Sequence, residues 1–199
     1  MMFSDLFRQW WDIFTLKINM KELAKERSQL REALWSILLA GVFVGVINLI
    51  RAMMAANLGI STTKILFGTA APDIGLEIAA IGIVAMPVAL AFLWIIVSGA
   101  LYVASFLLGG RRMFTGYARN IGIIFAPFSI AFSLTSYILL AGAGMLFAYQ
   151  ILLVVLFAWL LTIFTITPKE YFGFDTLKAA LATILFLVIM FFIAPILAA

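Results

Sequence analysis

Five apolar stretches, at about 33–53, 78–108, 118–140, 143–165 and 177–197, take up most of the 199 residues. A helix of about 20 residues spans the roughly 30 Å hydrocarbon slab of a bilayer. Within that slab every backbone N–H and C=O must find its partner inside the protein, which favours helices. The expected architecture is therefore all-α: a polytopic membrane helical bundle of five transmembrane helices, preceded by an amphipathic interfacial helix. Residues 1–32 form the amphipathic cytoplasmic or interfacial segment, and 33–199 the five-span transmembrane domain. The second stretch is the longest and contains Pro87. Halving it would leave two pieces too short to cross, so it reads as one span, tilted or kinked.

The basic residues give this arrangement a direction. Six stand in the N-terminal segment: Arg8, Lys17, Lys21, Lys25, Arg27 and Arg31. Arg111, Arg112 and Arg119 follow the second span, and Lys169 and Lys178 follow the fourth. Only Arg51 and Lys64 fall on the other side, and the third connection and the C-terminus have none. Eleven basic residues against two place the N-terminus in the cytoplasm and the C-terminus outside or in a lumen. With this distribution, the net charge of +4 reports topology and contact with anionic headgroups; nothing in it points to nucleic acid.

Residues 1–32 carry charges of both signs, unlike a cleavable signal peptide. Over 3–14, Phe3, Leu6, Phe7, Trp10, Ile13 and Phe14 recur at helical spacing, with Asp5, Arg8 and Asp12 on the other side. A short helix lying in the interface, its tryptophans at headgroup level, fits this pattern. Asn19 then stands three residues before Glu22, at capping-box spacing. Lys17, Lys21 and Lys25 make a basic stripe for which Glu22, Glu26 and Glu32 supply partners. The stripe suits a solvated helix, or a docking surface for a cytoplasmic partner or anionic lipid. Between the first two spans, residues 57–75 read as an external loop, with Asp73 and Glu77 at the start of the next helix.

The chemistry available to the chain is narrow. It has no cysteine and no histidine, which removes thiolate chemistry, the commonest general base and the commonest metal ligand. No ionisable residue lies near the middle of a span; Arg51, Glu77 and Arg119 stand near span ends, from which they can snorkel. A catalytic site, a metal and a cofactor are accordingly not expected. Ser129, Ser133 and Ser136 share one face of the third span and suit hydrogen bonding between helices. Gly41 and Gly45, like Ala100 and Ala104, are small pairs that permit close approach, within the bundle or to a second copy in a homo-oligomer. Pro127 should bend the third span.

The run Leu108-Gly109-Gly110-Arg111-Arg112-Met113-Phe114, followed by Ala126-Pro127, resembles the central signature of the Yip family of Rab/Ypt-interacting multi-span membrane proteins. Trp159 in the fourth span agrees, as does the approach to the last span from Phe174 to Lys178-Ala179. The resemblance implies five spans behind an amphipathic N-terminus and a role in membrane trafficking, without enzymatic activity. Independently of it, Gly109 and Gly110 can end a helix through positive φ, and Arg111 and Arg112 can anchor the turn at headgroups.

Two functions are compatible with these residues. One is a membrane scaffold or adaptor that organises lipid or recruits a cytoplasmic partner through Lys17, Lys21, Lys25, Arg111, Arg112 and Arg119. The other is a small permease, or a subunit of one, passing an uncharged or lipid-like substrate along Ser129, Ser133, Ser136 and Gln150.

Overall fold

The computed structural model of the chain describes residues 3–15, 30–59 and 76–198. These are all-α: a short helix α1 (Phe3–Phe14), then α2 (Leu30–Asn57), α3 (Leu76–Leu107), α4 (Phe114–Thr135), α5 (Leu146–Phe172) and α6 (Thr176–Ala198). Five of them are long and apolar enough to cross a membrane. Lys17, Lys21, Lys25 and the capping box at Asn19 lie outside the described residues, as does most of the loop before α3.

The glycine pair of α2 seats α2 on α3. A Cβ on Gly41 would collide with the backbone of Pro87, and one on Gly45 would come within 2.6 Å of Ile83 Cα and 2.8 Å of the Gly82 carbonyl oxygen. Only hydrogen fits at both positions, so the two helices close to backbone contact. Pro87 lies inside α3, where its ring removes one helical donor. The glycine groove of α2 fills the space beside that turn. The Gly-x-x-x-Gly motif therefore serves packing within the bundle.

α4 is the central helix. Its first half is buried almost without interruption, from Gly116 to Ile124. Gly122 makes room for Ala33 of α2 and for the Trp94 indole of α3, whose Nε1 donates to the Ala118 carbonyl at 2.8 Å. Pro127 is buried within the same helix. Beyond it the hydroxyls turn back on their own backbone: Ser129 donates to Ala126 O, Thr135 to Phe132 O and Ser136 to Ser133 O. Such bonds to the carbonyl three residues back compete with the α ladder, and α4 tightens into 3-10 turns at Ser136–Ala141 and Ala143–Met145. Of the three serines expected to bridge helices, only Ser133 does so, donating to Asn48 Oδ1 at 3.1 Å.

α5 runs past the expected end of the fourth span, through Pro168, and stops at Gly173 in the left-handed conformation. Asp175 caps α6 by accepting from the Lys178 backbone N–H at 2.7 Å.

α1 is the expected short amphipathic N-terminal helix, and part of its apolar face packs on the bundle. Its Trp10 and Ile13 are buried in the protein core, and Trp10 Nε1 donates to Ser36 Oγ of α2 at 2.8 Å. The Phe7 ring meets that of Phe43, near the middle of α2. Because Phe7 pairs further along α2 than Trp10 does, α1 runs against the direction of α2. Trp10 and Ile13 of the apolar stripe are covered by protein, whereas Phe7 at 46% and Trp11 at 65% remain exposed.

Candidate functional site

The connection between α3 and α4 brings most of the motif residues together. α3 ends in a Schellman turn: the Gly109 N–H donates to Phe106 O and the Gly110 N–H to Ser105 O, each at 2.9 Å. Gly109 adopts φ 95°, which favours glycine. Gly110 has ordinary φ but no space: a Cβ there would lie 2.9 Å from both the Phe172 ring and Ser105 O. One glycine is needed for its backbone and the next for its size.

The residues that follow are held by two tyrosines from other helices. Tyr102 Oη of α3 donates to the Arg112 carbonyl at 2.9 Å, and Tyr171 Oη of α5 donates to the Met113 carbonyl at 2.8 Å. The guanidinium of Arg112 lies over the Tyr171 ring, 5.5 Å from its centroid, in a cation–π contact. Beneath the loop the rings of Tyr102, Phe114, Tyr117, Tyr171 and Phe172 pack on one another with centroids 5.0–6.2 Å apart. Gly116 leaves the space into which the Tyr171 hydroxyl descends. The backbone of the loop is thus pinned, while Arg111, Arg112 and Met113 stay exposed, Met113 at 77%.

The remaining motif residues are dispersed. Trp159 is half-buried on α5, Pro127 lies deep in α4, and Ala179 is buried beside the exposed Lys178 at the start of α6. Lys178 shares the face of the bundle that carries the Arg111–Met113 loop, because the α5–α6 and α3–α4 connections are at the same end.

Arg119 does not belong to that exposed patch. It is 2% exposed, and its Nε and Nη2 both donate to Glu32 Oε2 of α2, at 3.0 and 2.6 Å. It lies on the buried half of α4, where the small residues Ala33 and Gly122 bring α2 and α4 together and close off the route by which the side chain was expected to snorkel. The candidate contact residue Arg119 forms a structural ion pair with Glu32, which ties α2 to α4.

The interior holds further polar groups. The Tyr117 and Ser105 hydroxyls approach each other without closing a hydrogen bond of ordinary geometry. Ser98 Oγ, Asn120 Oδ1 and Gln9 Oε1 are buried without a partner. Buried polar atoms in such positions commonly hold internal water.

No family model, curated protein or solved structure matches the chain.

Proposed function

We propose that the protein is a non-enzymatic membrane scaffold or adaptor, similar to the Yip type, with its N-terminus in the cytoplasm. Its contact surface is the α3–α4 loop: Arg111 and Arg112 meet acidic groups of a cytoplasmic partner or of anionic headgroups, and Met113 adds an apolar contact. The supporting observation is the pinning of this loop by Tyr102 and Tyr171 while its three side chains remain outside. A loop already ordered loses less conformational entropy when it binds. Two adjacent arginines offer planar donor groups suited to carboxylate or phosphate. Arg31, at the start of α2, and Lys178 extend the same positive face.

The polar residues considered for a permease are largely engaged in packing. Ser133 is bonded to Asn48, and Ser129 and Ser136 to their own backbone. This supports the scaffold over the transport alternative.

The test places a photo-crosslinking side chain at Met113 and compares wild type with Arg111→Glu/Arg112→Glu. Crosslinks to a defined acidic partner or to anionic lipid, lost in the charge-reversed protein, are expected. Equal crosslinking in both would overturn the assignment of this loop.

A further inference from the structure

Arg51 stands at the other end of the bundle, six residues before the end of α2 and so about 9 Å short of it along the helix axis. It is half-buried, its Nε is buried with no hydrogen-bond partner, and the neutral phenols of Tyr137 and Tyr149 lie near its charge. Tyr137 is already committed, donating to the Ile47 carbonyl at 2.9 Å. One turn back, Asn48 is bonded to Ser133. The acidic side chains described by the structure, Asp12, Glu32, Glu170 and Asp175, all belong to the N-terminal end. A guanidinium at this depth calls for a counter-charge, since an unpaired cation at the hydrocarbon boundary is costly. Tyr137, in the 3-10 turn after α4, is tied to α2 one turn before Arg51 by its bond to the Ile47 carbonyl.

We propose that Arg51, assisted by Tyr149, seats the phosphate of a phospholipid in the leaflet opposite the N-terminal face. The guanidinium supplies charge-assisted hydrogen bonds to the phosphodiester oxygens. The Tyr149 hydroxyl, from the first turn of α5, adds a donor. The headgroup would thus join α2 to the α4–α5 corner, where Gly142 and the 3-10 turns interrupt the helices. This site is independent of the Arg111–Arg112 loop.

The test is native mass spectrometry of the full chain, extracted with defined mixtures of phosphatidylglycerol and phosphatidylcholine. Wild type should retain one phospholipid through activation, and Arg51→Gln should lower that retained fraction about tenfold, one strong charged contact being worth about that much. Arg51→Lys should retain an intermediate fraction. Should Arg51→Gln fail to fold, Tyr149→Phe serves, with a two- to threefold loss expected. Retention equal to wild type in a folded Arg51→Gln, or in Tyr149→Phe where that variant must serve, overturns the proposal. So does a thermal shift with inorganic phosphate that equals the shift with phosphatidylglycerol, because the ligand would then be a free anion. Increased retention in Asp73→Asn or Glu77→Gln would show that a carboxylate neutralises Arg51, with the same consequence. Loss confined to Arg111→Gln/Arg112→Gln would place the lipid on the N-terminal face, overturning this site while leaving the proposed function standing.

Discussion

Arg119 and Glu32, 87 residues apart, meet in the interior with two guanidinium nitrogens on a single carboxylate oxygen. The pair ties α4 to the first turn of α2, beneath the helix that the N-terminal segment contributes. Glu32→Gln leaves a buried guanidinium without its carboxylate, and breaking a buried pair from one side costs roughly 3–5 kcal/mol. A large fall in melting temperature in detergent is expected. Replacing both partners, as Glu32→Gln with Arg119→Met, should recover much of the loss. A double variant no more stable than Glu32→Gln alone would contradict the pairing.

Gly41→Leu should separate α2 from α3, because its side chain would have to enter the backbone of Pro87. Loss of the monodisperse folded protein on size exclusion is the expected outcome. Gly99→Ala provides the contrast: that helical glycine has nothing within 4 Å, so alanine should be neutral or stabilising by about 0.5–1 kcal/mol. If Gly41→Leu were tolerated as well as Gly99→Ala, the close crossing would be wrong.

The docking of α1 can be read by labelling, since the chain has no native cysteine. Trp11→Cys should react readily with a maleimide and Ile13→Cys slowly, because Trp11 is 65% exposed and Ile13 fully buried. Ser36→Ala removes the acceptor of the Trp10 indole, at a cost of about 1 kcal/mol, and should speed labelling at Ile13→Cys. Equal rates at the two positions in the wild-type background would mean that α1 lies free on the bilayer.

Gly116→Ala should push the Tyr171 hydroxyl away from the Met113 carbonyl, since an added Cβ has no room beside it. Faster amide exchange across residues 110–114 is expected, and Tyr102→Phe/Tyr171→Phe should have the same effect. Exchange unchanged in both would show that the tyrosines do not hold the loop.

The five crossings follow from apolar length alone, because a bilayer imposes that length on any helix that spans it. The Gly109-Gly110 stop was equally readable, since few residues other than glycine suit a left-handed turn. Partners between helices were not. Arg119 looked like a snorkelling residue because span position says nothing about which side of a helix faces another helix. Tyr102 and Tyr171 went unnoticed because their bonds go to backbone carbonyls, which carry no sequence signal. Gly116, spaced to admit a ring from α5, was the one available hint. The stripe on α1 was visible, but periodicity cannot tell lipid from protein as its cover.

The sidedness of the bundle is tested most directly by labelling Met113→Cys and Ala141→Cys in intact cells with a membrane-impermeant maleimide. Both positions are exposed, at opposite ends of α4 and its 3-10 extension. Labelling of Ala141→Cys in intact cells, and of Met113→Cys only after permeabilisation, is the expected result. The reverse pattern would put the arginine loop outside the cytoplasm and contradict the adaptor function built on it.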